Sequence, residues 1–366
     1  MSSTSLASHS SSSPYDLVVA GAGMAGLSAA AQATQRGARV LLLEKGDRAG
    51  GSMLLSSGVI WRHREFARFR QECPGGDEAL QRTVFERLDA DLEWLESLGA
   101  RPRARETGNP LTRGTRFDTR DLTATLLRAA GDDVRLGEPL TELPAGLPLV
   151  LATGGFQADR DLVAQHVTPR ARELTLRAAP WSAGDGLRLG LAAGGSTSAG
   201  MGEFYGRNMP APPARVAEPD FVGAAQLYAH HATVRNSNGE VYEPQTWSEI
   251  DVVQWTARQP RARAWYEVPD AALGERVRER TVADMIEWAR AAGAPVKRSA
   301  GTTTVEVVAG ITTTLGGLRI DERAQVAPRI HAAGADAGGI ATGGYASGLA
   351  AALVFGRIAA DSALDG

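Results

Sequence analysis

From Tyr15 onward the spacing of apolar residues spells out a succession of elements. Leu17 to Ala20 is an apolar run of strand length, Gly21, Gly23 and Gly26 follow, and an alanine-rich helical stretch runs to a stop at Gly37. Val40 to Leu43 is a second buried strand ending at Glu44, which completes a βαβ unit. Leu80, Val84, Leu88, Leu92 and Leu95 recur at helical spacing and give residues 62–99 one buried face. Phe117 to Ala130 reads as a helix with Asp118 and Thr119 near its start. Val134 to Leu143 holds a strand that Gly137 and Pro139 interrupt. Pro148 to Ala152 is a fully apolar strand that runs straight into Thr153, Gly154 and Gly155, a turn at the carboxyl end of a sheet where ligands gather. Ser182 to Gly195 holds a helix behind a Gly-Asp-Gly turn, which Asp185 either caps or leaves to reach a ligand hydroxyl.

The texture changes near Ala199. Residues 200–304 carry proline-rich loops, aromatic pieces and one long helix, Thr281 to Ala292, as a separate lid or substrate domain would. Residues 305–366 return to the earlier pattern and end in a helix, Leu349 to Leu364. The chain therefore divides into a tail (1–14), a first dinucleotide-binding part (15–199), an inserted cap (200–304) and a second dinucleotide-binding part (305–366).

A length of 366 residues has room for this arrangement, and the 43% hydrophobic and 22% charged fractions are those of a globular protein. A net charge of −3 carries no nucleic-acid footprint. The one cysteine, Cys73, excludes an intrachain disulfide and a thiol metal cluster, and His230 and His231 have no partner at metal-ligand spacing, so no metal is expected. Residues 1–14 are serine-rich, lack Lys and Arg, and hold no apolar core of secretory length; a disordered tail is expected there. Arg357 breaks the last apolar run, no window is long enough to span a membrane, and a cytoplasmic protein is expected.

The three early glycines fill a G-x-G-x-x-G frame in its full structural context. Gly21 permits the tight turn, Gly23 lets backbone N–H groups approach a pyrophosphate, and Gly26 allows close packing of helix on strand. The helix N-terminus favours the anion, and Glu44 stands where an acid accepts hydrogen bonds from a ribose diol and repels the 2′-phosphate of NADP. Small residues at Gly50, Gly51, Ser52, Ser56, Ser57 and Gly58 suit either a flat ligand or a plain loop. The arginines between Arg101 and Arg120 read as a solvated loop, with a carboxylate clamp as the alternative. The glycine density at 334–348 implies backbone packed against a ligand just before a helix N-terminus.

With AGAGMAGLSAA, LLLEKGDRAGGSMLLSSGVIW, LVLATGGF, SAGDGLRLGLAAGG, TTTLGGLRID and AAGADAGGIATGGYASGLAAALVFGRIAA in this order, the sequence resembles the fumarate reductase and succinate dehydrogenase flavoprotein superfamily, especially its soluble 3-ketosteroid dehydrogenase-like branch. The resemblance implies an α/β fold: a Rossmann-like FAD-binding domain with an inserted α+β capping domain, non-covalent FAD, and substrate at the boundary. It places the pyrophosphate at Ala22, Gly23, Met24, Ala25 and Gly26, and the adenosine ribose at Glu44 and Lys45. Gly51, Ser52, Ser57 and Gly58 then run beside phosphate and flavin, Thr153 and Gly154 lie near adenosine, and Asp336 takes ribityl hydroxyls. Ser347, Gly348 and Leu349 aim the last helix at the flavin C2 carbonyl, where a helix N-terminus stabilises negative charge on the reduced ring. Two departures from fumarate reductases stand out: Thr313 occupies the position of their histidine, and Tyr345 appears in the glycine run where they carry an arginine.

In ketosteroid-type relatives a tyrosine in a similar run polarises the substrate ketone, and Tyr345 is assigned that role by the resemblance. A phenol donating to a carbonyl lowers the cost of removing the α proton, and the β hydrogen then leaves as hydride to flavin N5. The second acid or base is expected from the cap, at Tyr205 or Tyr228 with His230 behind them; an unperturbed phenol near 10 needs positive charge close by to serve as a base. The expected activity is an FAD-dependent dehydrogenase or reductase acting on a CH–CH or C=C bond beside a carbonyl of a small or medium apolar molecule. A single dinucleotide fingerprint leaves a quinone, a carrier or oxygen as electron partner. The alternatives are an oxidase using oxygen, a fumarate-like enoate reductase with a clamp from Arg113, Arg116 or another arginine, and a flavin-binding protein without turnover.

Overall fold

A computed structural model describes residues 14–245 and 249–366. All but the last residue of the expected tail lies outside them. Strand β1 (Leu17–Ala20), helix α1 (Met24–Gln35) and strand β2 (Val40–Glu44) form the opening βαβ unit, and all four residues of β1 are buried between its neighbours β2 and the strand Leu149–Leu151. The small-residue loop leads into strand β3 (Val59–His63), after which come α2 (Phe66–Glu72) and α3 (Glu78–Ser97). The five apolar residues spaced along α3 are all buried, and the Asp77 carboxylate caps its start by accepting from the Ala79 and Leu80 N–H groups.

The arginine run, expected as a loop, is in part a sheet edge. Strands β4 (Pro102–Ala104) and β5 (Thr112–Phe117) join β3 in a three-stranded antiparallel sheet, with the exposed arginines on its outer side. Helix α4 (Thr119–Ala129) is capped by Asp118; β6 (Val134–Leu136) and β7 (Leu149–Leu151) follow, then α5 (Arg160–His166), β8 (Thr175–Leu176) and α6 (Asp185–Ala192). Asp185 does not cap α6. Gly184 occupies that position at φ +82, and the Asp185 carboxylate pairs with Lys45 Nζ at 2.7 Å.

The cap contains β9 (Phe204–Pro210), β10 (Thr233–Arg235), α7 (Ile250–Arg258), β11 (Arg263–Pro269), a short hairpin of β12 (Arg276–Val277) and β13 (Arg280–Thr281), α8 (Val282–Ala291), β14 (Val296–Ser299) and β15 (Thr302–Thr314). Thr281 and Asp284 close a capping box on α8. The chain ends with the hairpin β16 (Gln325–Ala327) and β17 (Ile330–Ala332), then α9 (Gly348–Leu364).

Two main sheets result. The first runs β16-β17-β7-β1-β2-β6, parallel except for β16, with α1 and α9 packed on each other through alanines and glycines. The second is built on β15, which pairs with β8, β9, β11 and β14 and carries the chain from the cap back toward the first sheet. A separate core of Tyr228, Tyr266, Val252, Met285, Val305 and their neighbours fills the cap. Among the described residues no helix is long and apolar enough to cross a membrane, and no cluster of His, Cys, Asp and Glu could hold a metal ion.

Candidate functional site

At the carboxyl ends of the parallel strands the backbone leaves a trough. Gly21 turns at φ +103, and a Cβ there would lie 2.1 Å from the Ala152 carbonyl oxygen, so only glycine lets β1 end beside β7. At Gly26 a Cβ would stand 1.8 Å from the Gly21 carbonyl oxygen, which fixes how closely α1 sits on β1. Gly23 faces open space, and no side chain caps α1, so its first-turn N–H groups are available to an anion. The loop after β2 crosses just above, with the Cβ position of Gly51 3.3 Å from the Gly23 Cα.

Glu44, 4% exposed, is pinned beside this turn: its carboxylate oxygens accept from the Ala22 and Gly46 N–H groups, each at 2.7 Å. Each oxygen keeps capacity for a further donor. Lys45, Thr153, Trp181 and Asp185 line the same cleft. Asp336 is buried and accepts from the Thr153 N–H and hydroxyl and the Gly155 N–H, tying the loop after β7 to the turn Gly334–Asp336. Burial holds its carboxyl above the usual range against the pull of those donors. That turn packs on α1, where a Cβ on Gly334 would lie 3.0 Å from Ala25 Cβ.

Helix α9 begins in open space at Gly348, with the Ser347 hydroxyl accepting from Ala350 N–H at 3.3 Å and Trp61 N–H at 3.4 Å. Gly356 meets the start of α1, a Cβ there falling 2.4 Å from the Ala25 carbonyl oxygen. At 1.5 Å per residue, the α9 N-terminus then stands about 12 Å along its axis from that crossing. Helix α1 thus starts without a side-chain cap while Ser347 caps α9, and the Asp336 turn packs against α1.

Over the α9 end of the trough the cap brings two phenols together. Tyr205, on β9, and Tyr345, in the loop before α9, stack with ring centroids 4.8 Å apart and planes 14° from parallel. Trp61 of β3 closes on Tyr345 at 5.3 Å. Arg207, two residues after Tyr205 and therefore on the same face of β9, places its guanidinium 5.2 Å from the Tyr205 ring and 5.6 Å from the Tyr345 ring. Thr313 pairs directly with Tyr205 across β15 and β9.

A second arginine, Arg177, is buried beside them, donating to the Thr312 hydroxyl and the Phe221 carbonyl, each at 2.8 Å. Its burial pulls the guanidinium down to about 10.

The two phenols are displaced in opposite directions. Burial, the largest influence on Tyr205, acts to raise it, but Arg207, Arg177, a hydrogen bond with Tyr345, and Arg278 together outweigh it and bring the hydroxyl down to about 8. Burial and the neighbouring Tyr205 push Tyr345 well above the ordinary phenol value in spite of Arg207. Glu249 is 7% exposed, and its carboxyl is raised by burial while the charges of Arg207 and His230 pull it down. Its backbone adopts φ +57, a left-handed conformation that costs a non-glycine residue about 1–3 kcal/mol.

Tyr228 stands at one remove from the pair. It is fully buried, its hydroxyl donates to Gln226 at 2.8 Å, its ring meets Tyr266 edge-on, and burial followed by the Glu249 charge raises it far above the usual phenol. His230 is exposed. Arg113 and Arg116 point outward, pairing with Asp89 at 3.4 Å and Glu279 at 3.8 Å, so the buried arginines of the site are Arg177 and Arg207.

Residues 16–142 and 141–349 match the family described as FAD binding domain. The chain belongs to this family. It is 26% identical over 274 residues to vinyl phenol reductase from Lactiplantibacillus plantarum, an alignment covering 59% of this chain and 52% of that protein. The chain thus spans about half the length of that curated relative. The open conformation of a flavocytochrome c3 fumarate reductase superposes with a TM-score of 0.72 at 21% identity, over 96% of this chain and 78% of the other. 3-Ketosteroid-Δ4-(5α)-dehydrogenase from Rhodococcus jostii RHA1, in complex with 4-androstene-3,17-dione, gives 0.72 at 20% identity over 98% and 99%. The Rossmann-like FAD domain with a cap expected from the sequence is the fold of these structures.

The trough of this FAD-binding protein suits FAD on its own chemistry: open N–H donors at the start of α1, a fixed carboxylate at the end of β2, and backbone that a side chain at Gly21 or Gly26 would obstruct. Of the residues expected at the cofactor, Ala22 to Gly26, Glu44, Lys45, Gly51, Thr153, Gly154, Asp185, Asp336 and Ser347 to Leu349 all border this trough or the loops that form it. The Ser52 hydroxyl accepts from the Ala179 N–H at 3.0 Å, Ser57 is exposed, and a Cβ on Gly58 would lie 2.2 Å from the Phe117 carbonyl oxygen. Arg177, Arg207 and Glu249 were not among the expected residues; the tyrosine-x-arginine spacing on a strand was the one signal for Arg207.

Proposed function

We propose that the protein is an FAD-dependent oxidoreductase acting on a CH–CH or C=C bond next to a carbonyl in a small or medium apolar molecule. The observation that carries this reading is the stacked Tyr205–Tyr345 pair under Arg207, whose members are displaced to opposite sides of the ordinary phenol value. Two titratable groups driven apart by their surroundings mark a division into acid and base. Tyr345 keeps its proton and donates a hydrogen bond to the substrate carbonyl, stabilising the charge that develops on oxygen. Tyr205, lowered by two guanidiniums, takes the α proton; in the reductive direction it returns one. FAD, when bound, supplies the hydride acceptor or donor for the neighbouring carbon.

Gly21 to Gly26 would hold the pyrophosphate, Glu44 the adenosine ribose, Asp336 the ribityl chain and Ser347 to Leu349 the ring carbonyl. Trp61 shields one side of Tyr345 from water. The relatives support carbon–carbon chemistry: one is named for reduction of a vinyl phenol, and a structure of the same fold holds an unsaturated ketone. The electron partner is a quinone, a carrier or oxygen, and slow reoxidation of photoreduced enzyme in air would eliminate the oxidase.

A second reading, reduction of an enoate, gains from the two buried arginines, since a guanidinium can hold a substrate carboxylate. Substrate-dependent bleaching of the bound flavin, measured anaerobically over cyclic ketones and saturated acids, separates the two. Loss of bleaching in Tyr205→Phe and Tyr345→Phe, with FAD retained, is the result expected of the proposed roles.

A further inference from the structure

The loop that carries Tyr345 is gripped on one side by the turn between α2 and α3. The Gly75 N–H donates to the Thr342 carbonyl at 3.1 Å and the Asp77 N–H to the Gly339 carbonyl at 2.8 Å. Gln81, fully buried in the first turn of α3, donates from Nε2 to the Ile340 carbonyl at 2.8 Å and to the Cys73 carbonyl at 2.9 Å. Gly344 approaches so closely that a Cβ there would stand 1.6 Å from the Glu72 carbonyl oxygen.

On the other side the loop meets the cap at Glu203. This residue extends the pairing of β9 with β15 by one step, its carbonyl accepting from the Leu315 N–H at 3.0 Å, and its own N–H donates to the Gly200 carbonyl at 2.9 Å. Its Oε2 accepts from the Gly343 N–H at 2.7 Å. Gly343 lies at φ +84, outside any regular element, and the carboxylate supplies the acceptor for its N–H. Two residues further along each segment come Tyr205 and Tyr345, stacked at 4.8 Å. Residues two apart on extended chain share a face, so Glu203 and Tyr205 reach the same loop from the same side.

We propose that Glu203 is a positioning residue for the reaction: by holding the Gly343 N–H it sets Tyr345 in its stack with Tyr205. The cap thereby supplies one phenol and, two residues earlier, the acceptor that brings the other phenol to meet it. Without that acceptor the ties to Gly75, Asp77 and Gln81 still hold residues 339–342, while Gly343 and Tyr345 are released toward the cap. This inference rests on the reading of Tyr345 and Tyr205 as acid and base.

The test compares FAD-loaded wild type, Glu203→Ala and Glu203→Gln. Both variants lose the same charge, and only glutamine keeps a side-chain oxygen able to accept from the Gly343 N–H, so the difference between them reports the bond. In Glu203→Ala the Gly343 amide should exchange with deuterium about tenfold faster, the low end of what a hydrogen bond to a charged group contributes. The NOE between the Tyr205 and Tyr345 rings, assigned with Tyr205→Phe and Tyr345→Phe, should weaken. The limiting rate of anaerobic flavin bleaching by cyclohexanone should fall about tenfold, with the half-saturating concentration changed less. Glu203→Gln should recover most of all three. Should the alanine variant lose FAD, Glu203→Asp, which withdraws the oxygen by one methylene, takes its place with the same expectations.

Exchange and NOE need no substrate, and if both are unchanged in Glu203→Ala the inference is overturned. A glutamine variant no better than the alanine one overturns it as well. If the NOE is lost in Glu203→Ala while bleaching continues at the wild-type rate, Tyr345→Phe separates the two failures. Slower bleaching in Tyr345→Phe then overturns the positioning role and leaves the proposed function standing. Unchanged bleaching in Tyr345→Phe overturns the role given to Tyr345 in that function and leaves the hold of Glu203 on the loop.

Discussion

Replacing Arg207 by glutamine removes the charge that lies over both phenol rings and tests how the pair divides its protons. Tyr205 stands at about 8 because Arg207, Arg177, a hydrogen bond with Tyr345, and Arg278 together outweigh burial, and Arg207 is the largest of these four influences. Without it, burial regains the upper hand and the hydroxyl returns to about 10, with Arg177 limiting any further rise. A two-unit rise corresponds to about 2.7 kcal/mol, or about a hundredfold less phenolate at any pH well below the original midpoint. If Tyr205 is the base, the rate of flavin reduction rises with pH through about 8 in the wild type. In Arg207→Gln the whole limb moves up by about two units, and the rate at neutral pH falls about a hundredfold. Anaerobic stopped-flow measurement of flavin bleaching against pH reads both quantities. Arg207→Lys keeps a charge without the planar fork and should shift the limb by less. A limb that stays in place in Arg207→Gln, in protein that still binds FAD, would refute the assignment of Tyr205.

Three further outcomes follow from the geometry. Tyr345→Phe removes the donor assigned to the substrate carbonyl and should lower the rate of flavin reduction by about 10²–10³-fold with little change in FAD content, which bleaching kinetics and the visible spectrum measure together. Gly26→Ala would set a Cβ 1.8 Å from the Gly21 carbonyl oxygen, so α1 must shift off β1; the expected product is poorly folded and colourless, checked by flavin absorbance after reconstitution with FAD. His63 and His331 are both buried, and burial pushes each down to about 4 from an ordinary 6.5. Between about 6.5 and about 4 the unfolded chain therefore binds more protons, so stability is level above that window and falls by a few kcal/mol as pH drops through it. Urea midpoints measured across this range should show the fall, and His63→Phe should flatten it.

Legibility in the sequence followed how local each determinant is. The opening βαβ unit was readable almost to the residue, because a four-residue apolar strand, a glycine turn and an alanine helix ending at Gly37 each carry their own signal. The buried face of α3 was equally plain from its leucines. The strands at 102–104 and 112–117 were not, since short segments rich in arginine look like a loop until 112–117 pairs with β3 on one side and with 102–104 on the other.

Tyr345 and Tyr205 were picked out separately, but only the folded chain stacks them. The positive charge that a base role required was two residues away at Arg207, hidden because composition does not tell a buried arginine from a solvated one. The run at 101–120 drew attention for its density, and the arginines that matter are isolated ones at 177 and 207. Glu249 had no signal at all: its burial depends on β9, α7 and the turn before β10 meeting in the cap.

The most direct measurement is anaerobic addition of cyclic ketones bearing α and β hydrogens to the oxidised, FAD-loaded protein while visible flavin absorbance is followed, in wild type, Tyr205→Phe and Tyr345→Phe. The proposal predicts bleaching of the wild type by at least one such ketone and its loss in both variants. Bleaching that proceeds undiminished in the two variants would contradict it.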